Sequence, residues 1–350
     1  WVRLCSISPS LTLPTLAAMR SRLGDWAAAV SGRASARRFW KLSRKGFPLL
    51  MPMQSSPGHL RASYSSDFLY TLYSDKVRMA AFQGAIARHG AKQVLEVGCG
   101  PWTPLVDMAL ASGAERVVAI EAGLEHAEQA RRKVDARRVT VLAGRSADVE
   151  LPGDFVPELI VGELLGYLAS EEGAPAIFAD LQRRYGAVKV VPKAACSLVV
   201  PTRPLHLSLR DKVRNWAAHG IWPSLVPGQL YDIRNFPLSA QLAEAQVWEE
   251  FDFESPDLKD RLQQRHELWF SIEPGAEVGG LLFWMCTDVD DHVRLDTRDG
   301  STSWNQYYLH LHRQRIGPDG SLLVHTSVDA RTEDVSYEFR VGETTYPSAE

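Results

Sequence analysis

Short apolar runs that end on a glycine or an acid, separated by helical stretches, recur between residues 93 and 161. No other feature constrains the fold as much. Gln93–Val97 (QVLEV) reads as a strand and runs into the glycine-bearing turn GCGPWTP. Leu105–Ser112 reads as helix, Arg116–Ile120 (RVVAI) as strand, 124–133 as helix, Val139–Ala143 as strand and Leu159–Val161 as a further strand. Repeated strand–helix units predict a doubly wound parallel α/β sheet, with ligands bound at the carboxyl ends of the strands. Before the first strand, Leu69, Leu72, Tyr73, Val77, Ala80, Ala81 and Ile86 recur at spacings of three and four, which predicts a helix that carries Arg78.

After about Pro192 the texture changes. Pro, Trp and Phe become frequent, and short runs alternate: Ser197–Val200, His206–Leu209, Val247–Phe253, Leu268–Ile272, Leu281–Cys286, Tyr307–Arg313 and Val335–Phe339. This predicts an antiparallel β-barrel or sandwich following the parallel sheet. The 350 residues accommodate two such domains, at 61–192 and 193–350. Asn215–Phe236 does not alternate and is expected to be a projecting arm. Residues 1–60 carry nine Arg and Lys against the single acid Asp25, and they begin on Trp1. They read either as a disordered basic extension or as an organelle transit segment, with Pro48, Pro52 and Pro57 as a linker.

Composition closes off several classes. A net charge of −3 gives no field for nucleic acid. Four scattered cysteines without a CxxC pair suit neither a metal site nor a disulfide framework, and they fit a reducing compartment, cytoplasmic or nuclear. No apolar run approaches the roughly 18–20 residues that cross a membrane.

The chemistry concentrates at strand ends. Glycines Gly98 and Gly100 after the first strand, Glu96–Gly100 (EVGCG), let backbone approach a ligand, and the next helix N-terminus favours negative charge. A dinucleotide fingerprint would place a third glycine where Thr103 stands, which disfavours NAD. Glu121, at the tip of the second strand, suits both hydroxyls of a ribose. The strand Leu159–Val161 runs into Glu163, and Glu172 follows nine residues later, with Gly166 between them. A carboxylate at a buried strand end is costly unless it meets a cation. Two from one turn suit a flat cation with several N–H donors, which describes guanidinium.

These residues resemble the class I S-adenosylmethionine-dependent methyltransferases and, more narrowly over about 64–345, the protein arginine methyltransferases. LEVGCG…AIEAG resembles the cofactor motifs, LYSDKVRMAAFQGAI the helix before the first strand, ELLGYLASEE the double-glutamate loop, and Thr302-Ser303-Trp304-Asn305-Gln306 the threonine–histidine–tryptophan loop. The resemblance implies a Rossmann-like methyltransferase sheet followed by a β-barrel, and S-adenosyl-L-methionine as cofactor. It implies Arg78 on the cofactor carboxylate, with Glu96, Gly98, Gly100, Glu121 and Ser146 around the rest of the cofactor. Glu163 and Glu172 become catalytic, gripping a substrate arginine. Tyr64 and Phe68, before the Arg78 helix, read either as a lid over cofactor and substrate or as plain packing. Leu72 matches the active-site helix position near the acceptor nitrogens, and Ser303 and Trp304 form a wall beside the guanidinium. The implied partner is a protein or peptide with an exposed arginine, Arg-Gly-rich or histone-like, methylated by a homodimer. Ser303 in place of histidine and Leu164-Leu165 in place of tryptophan–methionine resemble the symmetric-dimethylating branch. Leu72 stands where that branch carries phenylalanine, so mono-, asymmetric and symmetric products all stay open. A small-molecule methyltransferase and a non-catalytic scaffold are the competing readings.

Overall fold

The computed structural model describes residues 49–52, 74–209, 211–213 and 224–347. Tyr64, Phe68 and Leu72 lie outside the described residues, as do 1–48 and 214–223. The chain begins here with β1 (Leu49–Pro52), α1 (Lys76–His89), β2 (Gln93–Val97), α2 (Pro104–Ala111) and β3 (Arg116–Glu121). It continues through α3 (Leu124–Lys133), β4 (Val139–Ala143), β5 (Leu159–Val161), α4 (Ala174–Tyr185) and β6 (Lys189–Val191). Strands β2 to β6 form one parallel sheet in the order β4-β3-β2-β5-β6. Its strands are continuous apolar runs because helices cover both faces, and Val117, Val118 and Ala119 in β3 are fully buried. The sequence reading had no counterpart for α4 and β6. α4 buries Ile177, Phe178 and Leu181, and Phe178 meets Phe253 of the following domain at 4.8 Å between ring centroids.

The second half is antiparallel. Strands β7 (Ala194–Thr202), β8 (Leu230–Arg234), β9 (Gln246–Asp252), β10 (Gln263–Ser271), β11 (Glu277–Asp288), β12 (Arg294–Asp296), β13 (Gln306–Arg315), β14 (Ser321–Asp329), β15 (Ser336–Val341) and β16 (Thr344–Pro347) follow one another. One sheet runs β1-β8-β13-β11-β7-β9 with β12 on β11, and the other runs β10-β14-β15-β16. Aromatic side chains fill the space between them. Trp248 meets Phe339 edge-on at 5.1 Å, and Phe283 meets Phe339 at 4.6 Å. Aromatic contacts of this geometry add to the burial of their area. The architecture is therefore a doubly wound Rossmann-like sheet followed by an antiparallel barrel.

Three expectations need correction. Leu49–Pro52 is not extension or linker: it pairs antiparallel with β8 at the sheet edge, a position where proline removes no interior ladder bond. Part of the expected arm, Leu230–Arg234, is a strand held between β1 and β13. His206–Leu209 is not a strand: β7 ends at Thr202, and Pro204 then removes an N–H donor that a continued ladder would need.

Candidate active site

A cavity of about 390 Å³ opens at the carboxyl end of the parallel sheet. It sits between β2 and β5, where the order of strands reverses. Doubly wound sheets take ligands at this point. Glu96, Gly98, Gly100, Glu121, Ser146, Glu163 and Glu172 all line it.

The glycine turn forms its floor. Gly98 and Gly100 both have positive φ, 78° and 60°. A side chain at Gly98 would also strike Leu164, whose Cδ2 lies 2.8 Å from an ideal Cβ. The loop that carries Glu163 is thus pressed onto the glycine turn. Thr103 occupies the left-handed region at φ 49°, a strained setting for a β-branched residue. Lys133 steadies this turn: its ammonium donates to the Trp102 carbonyl, to Thr103 Oγ1 at 3.3 Å and to Asp107 at 3.0 Å. Glu121 bridges two turns, accepting from Gly100 N–H and Gly123 N–H at 2.8 Å each. Glu96 lies almost wholly buried under the turn, and burial raises its carboxyl to about 8, with Asp107 and Glu121 adding to the rise. Ser146 is held from behind, where Arg184 Nη1 donates to its carbonyl at 2.5 Å.

The other side of the cavity is assembled from distant segments. Arg78 is fully buried. Its Nη1 donates to Glu163 Oε2 at 3.0 Å and its Nη2 to Ser303 Oγ at 2.8 Å. The guanidinium lies over the Trp304 ring, 3.5 Å from the centroid. A buried guanidinium needs such partners, and stacking on tryptophan adds a cation–π contribution. Asp75 completes the cluster. It caps α1 by accepting from Arg78 N–H at 3.1 Å, and its other oxygen accepts from Ser303 N–H at 2.6 Å. Two expectations shift here. Arg78 does not line the cavity but stands behind Glu163, and Trp304 stacks on Arg78 instead of walling the cavity. The physical reason is that a buried Glu163 requires a fixed counter-charge, and the barrel loop supplies the surface on which that charge lies.

Glu163 keeps one oxygen engaged with Arg78, while Oε1 is buried with no hydrogen-bond partner among the described residues. Desolvation raises its pKa, and Arg78 pulls the other way. Glu172, half-buried, faces the same cavity. Its neighbour Glu171 turns inward. Glu171 Oε2 accepts from Tyr167 N–H at 2.6 Å, and Oε1 accepts from the Tyr307 hydroxyl of β13. Burial raises Glu171 to about 8. Gly166 is required by this arrangement, since an ideal Cβ there would lie 2.2 Å from Glu171 Oε2.

Several barrel residues support the loop, and apart from Trp304 they left no local trace in the sequence. Trp304 Nε1 donates to the Leu165 carbonyl at 2.9 Å. Arg234 on β8 donates to the carbonyls of Gly300 and Ser303 at 3.0 and 3.2 Å and to that of Thr302, which fixes the Ser303–Trp304 turn. Buried Glu249 on β9 accepts from Ser170 Oγ at 2.5 Å and Ser197 Oγ at 2.6 Å. Ser197 Oγ in turn accepts from Ala169 N–H at 2.9 Å. Glu333, on the turn between β14 and β15, lines the cavity and pairs with Arg145 at 3.0 Å. Arg234 and Glu249 carry no distinguishing sequence signal, because Asp232 stands beside the first in LYDIR and Glu250 and Asp252 beside the second in QVWEEFD. Among the described residues no group of three or more His, Cys, Asp or Glu could hold a metal ion, and no helix is long and apolar enough to cross a membrane.

No protein-family model matches this chain, and no curated protein matches it by sequence. Solved structures do. The chain superposes on Arabidopsis thaliana protein arginine methyltransferase 10, seen in an open conformation, with a TM-score of 0.59 and 16% identity. That match covers 81% of this chain and 98% of the other. It also superposes on the Trypanosoma brucei PRMT1 enzyme–prozyme heterotetrameric complex with AdoHcy, with a TM-score of 0.58, 19% identity, and coverage of 80% and 96%. The chain has the fold of the protein arginine methyltransferases.

Proposed function

We propose that this chain is a protein arginine N-methyltransferase that uses S-adenosyl-L-methionine. One observation carries the reading. Glu163 and Glu172 face the cavity that the glycine turn opens onto, and Glu163 already grips a guanidinium through one oxygen while the other, buried, has no hydrogen-bond partner among the described residues. An orphaned buried carboxylate oxygen beside a second acid fits a cation with several N–H donors. The solved relative with AdoHcy supports the same cofactor class.

The residues present fit that cofactor. The cavity volume falls in the usual range for small-molecule sites, roughly 300–1,000 Å³. Gly98 and Gly100 admit close backbone approach, the Glu121 carboxylate lines the cavity and suits ribose hydroxyls, and Ser146 lines it too. Bound there, S-adenosyl-L-methionine supplies a methyl group made electrophilic by its sulfonium. The chain has three tasks. Glu163 and Glu172 hold the substrate guanidinium and draw its positive charge to one side, which leaves a lone pair on the remaining nitrogen. Arg78, Asp75 and Trp304 keep Glu163 fixed while this happens. Glu163 Oε1, its pKa raised by burial, then suits acceptance of the proton. Holding both reactants in line can supply several kcal/mol, and the buried setting excludes water.

Substrates in this reading are proteins or peptides with an exposed arginine, Arg-Gly-rich segments and histone tails being the first to test. Homodimer assembly belongs to the same proposal and is read by light scattering in solution. The test of function is Glu163→Gln, which removes charge with little change of shape. Binding of S-adenosylmethionine, read by calorimetry, should survive, and methylarginine formation on an Arg-Gly-rich peptide should fall by roughly 10²-fold or more. Unchanged turnover would sink the clamp. A wild-type protein that binds the cofactor but methylates only small molecules would overturn the peptide substrate.

A further inference from the structure

Two thiols face each other across the barrel sheet, away from the cavity. Cys196 on β7 is the direct antiparallel partner of Cys286 on β11. Both are buried, at 6% and 4% exposure, and both are free thiols. A third group converges on them: Arg294 Nη2 donates to Cys196 Sγ at 3.4 Å. Arg294 is anchored by Asp288, whose two oxygens each lie 3.0 Å from Nη1, and its side chain is 54% exposed. The pair therefore sits one side chain below the surface. Neither thiol lines the cavity, so the arginine-methylation reading leaves them without a role.

We propose that Cys196 and Cys286 form an oxidisable dithiol that peroxide converts into a cross-strand disulfide. Residues directly opposite in an antiparallel pair place their Cβ atoms about 4.5–5.5 Å apart. A disulfide needs about 3.5–4.5 Å, so closing the bond asks for a shift on the order of 1 Å. The two sulfurs are not equivalent. The Cys286 thiol and then Arg294 stabilise the Cys196 thiolate and lower its pKa, whereas the same contact and burial raise that of Cys286. Cys196 is therefore the attacking sulfur and Cys286 the resolving one. In the first step the Cys196 thiolate attacks one peroxide oxygen. The O–O bond breaks, hydroxide leaves and Cys196 becomes a sulfenic acid. In the second, Cys286 sulfur attacks Cys196 sulfur, the S–O bond breaks, and the Cys286 proton leaves with the oxygen as water. Overall two thiols are oxidised by two electrons, and one peroxide is reduced to two waters.

The experiment reads thiol chemistry, so its outcome is independent of methyl transfer. The reduced full chain is exposed to hydrogen peroxide, its remaining thiols are alkylated, and its peptides are mapped by mass spectrometry. The expected result is a linked pair of peptides containing Cys196 and Cys286, a mass loss of about 2 Da, and reversal by dithiothreitol. Cys286→Ser should abolish the link and leave Cys196 reactive toward dimedone. Arg294→Gln should slow the first step several-fold. The proposal is overturned if both thiols remain alkylatable at peroxide levels that oxidise the urea-unfolded chain. It is overturned equally if Cys196 or Cys286 pairs only with Cys5 or Cys99.

Discussion

The two walls of the cavity are built in opposite ways. One wall comes from consecutive strand–turn–helix units: Gly98, Gly100, Glu121 and Ser146 all end or follow strands of a single sheet, and their supporting contacts span 2 to 38 residues within that one domain. The other wall is carried by Glu163 and Glu172, and Glu163 is held from behind by Arg78, 85 residues away, which in turn bonds Ser303 at a distance of 225 residues along the chain. It rests on buried polar groups from the barrel, including Trp304, Arg234 and Glu249. The difference teaches that one wall is set by local backbone geometry, while the other depends on two domains remaining docked. Damage to the first should weaken binding, and damage to the second should weaken turnover and stability together.

Trp304→Ala probes that division most severely. It removes the surface under Arg78, the bond to Leu165 and a large buried side chain. The expected cost is about 3–5 kcal/mol in urea unfolding, with near-complete loss of turnover. A variant that folds less stably yet turns over normally would break the comparison. Glu121→Ala tests the opposite wall. Losing a charged acceptor of two backbone N–H groups should weaken cofactor binding by calorimetry, by about 1.5–3 kcal/mol, while turnover at saturating cofactor changes less. Ser197→Ala should free the Ala169 amide, speed its hydrogen exchange and lower kcat more than the cofactor KM, at about 1–3 kcal/mol. The same wall also carries a pH dependence. Glu171 titrates near 8 when folded against 4.5 in its ordinary state, so the folded chain holds its proton more tightly. That stabilisation is complete below the lower value and is lost as pH rises through the upper one. Glu171→Gln carries no such proton. Its Tm relative to the parent should therefore rise from about pH 5 to about pH 9; a constant difference would show that Glu171 is already ionised.

The same division governs what could be read from the sequence. Gln93–Val97, Val139–Ala143 and Leu159–Val161 were legible to the residue because buried parallel strands are unbroken apolar runs closed by turn residues. The barrel was legible as a class but not strand by strand. β14 alternates buried Leu322, Val324, Thr326 and Val328, yet apolar Leu323 between them and polar Thr326 among them blunt the pattern. β8 hides in a proline- and tryptophan-rich stretch. At the site, the glutamates and glycines stand out at strand ends, where chemistry must emerge from the fold. The partners did not. Asp75 looks like a helix cap and an ordinary neighbour of Arg78, and nothing local announces that it also holds Ser303, 228 residues away. Likewise Glu249 and Ser197 lie 52 residues apart, and only the folded chain brings them under Ala169.

Gly166 and Glu171 form a matched pair whose consequence lies in sequence drift and redesign. The carboxylate occupies the space where a Cβ at position 166 would be, at 2.2 Å. Any side chain at 166 must first evict Glu171, and shortening Glu171 alone strands the Tyr167 amide and the Tyr307 hydroxyl. Neither a side chain at 166 nor a shorter one at 171 is a single neutral step. The two are inherited as one unit, and a designer who wishes to reshape the loop between Glu163 and Glu172 must exchange both together.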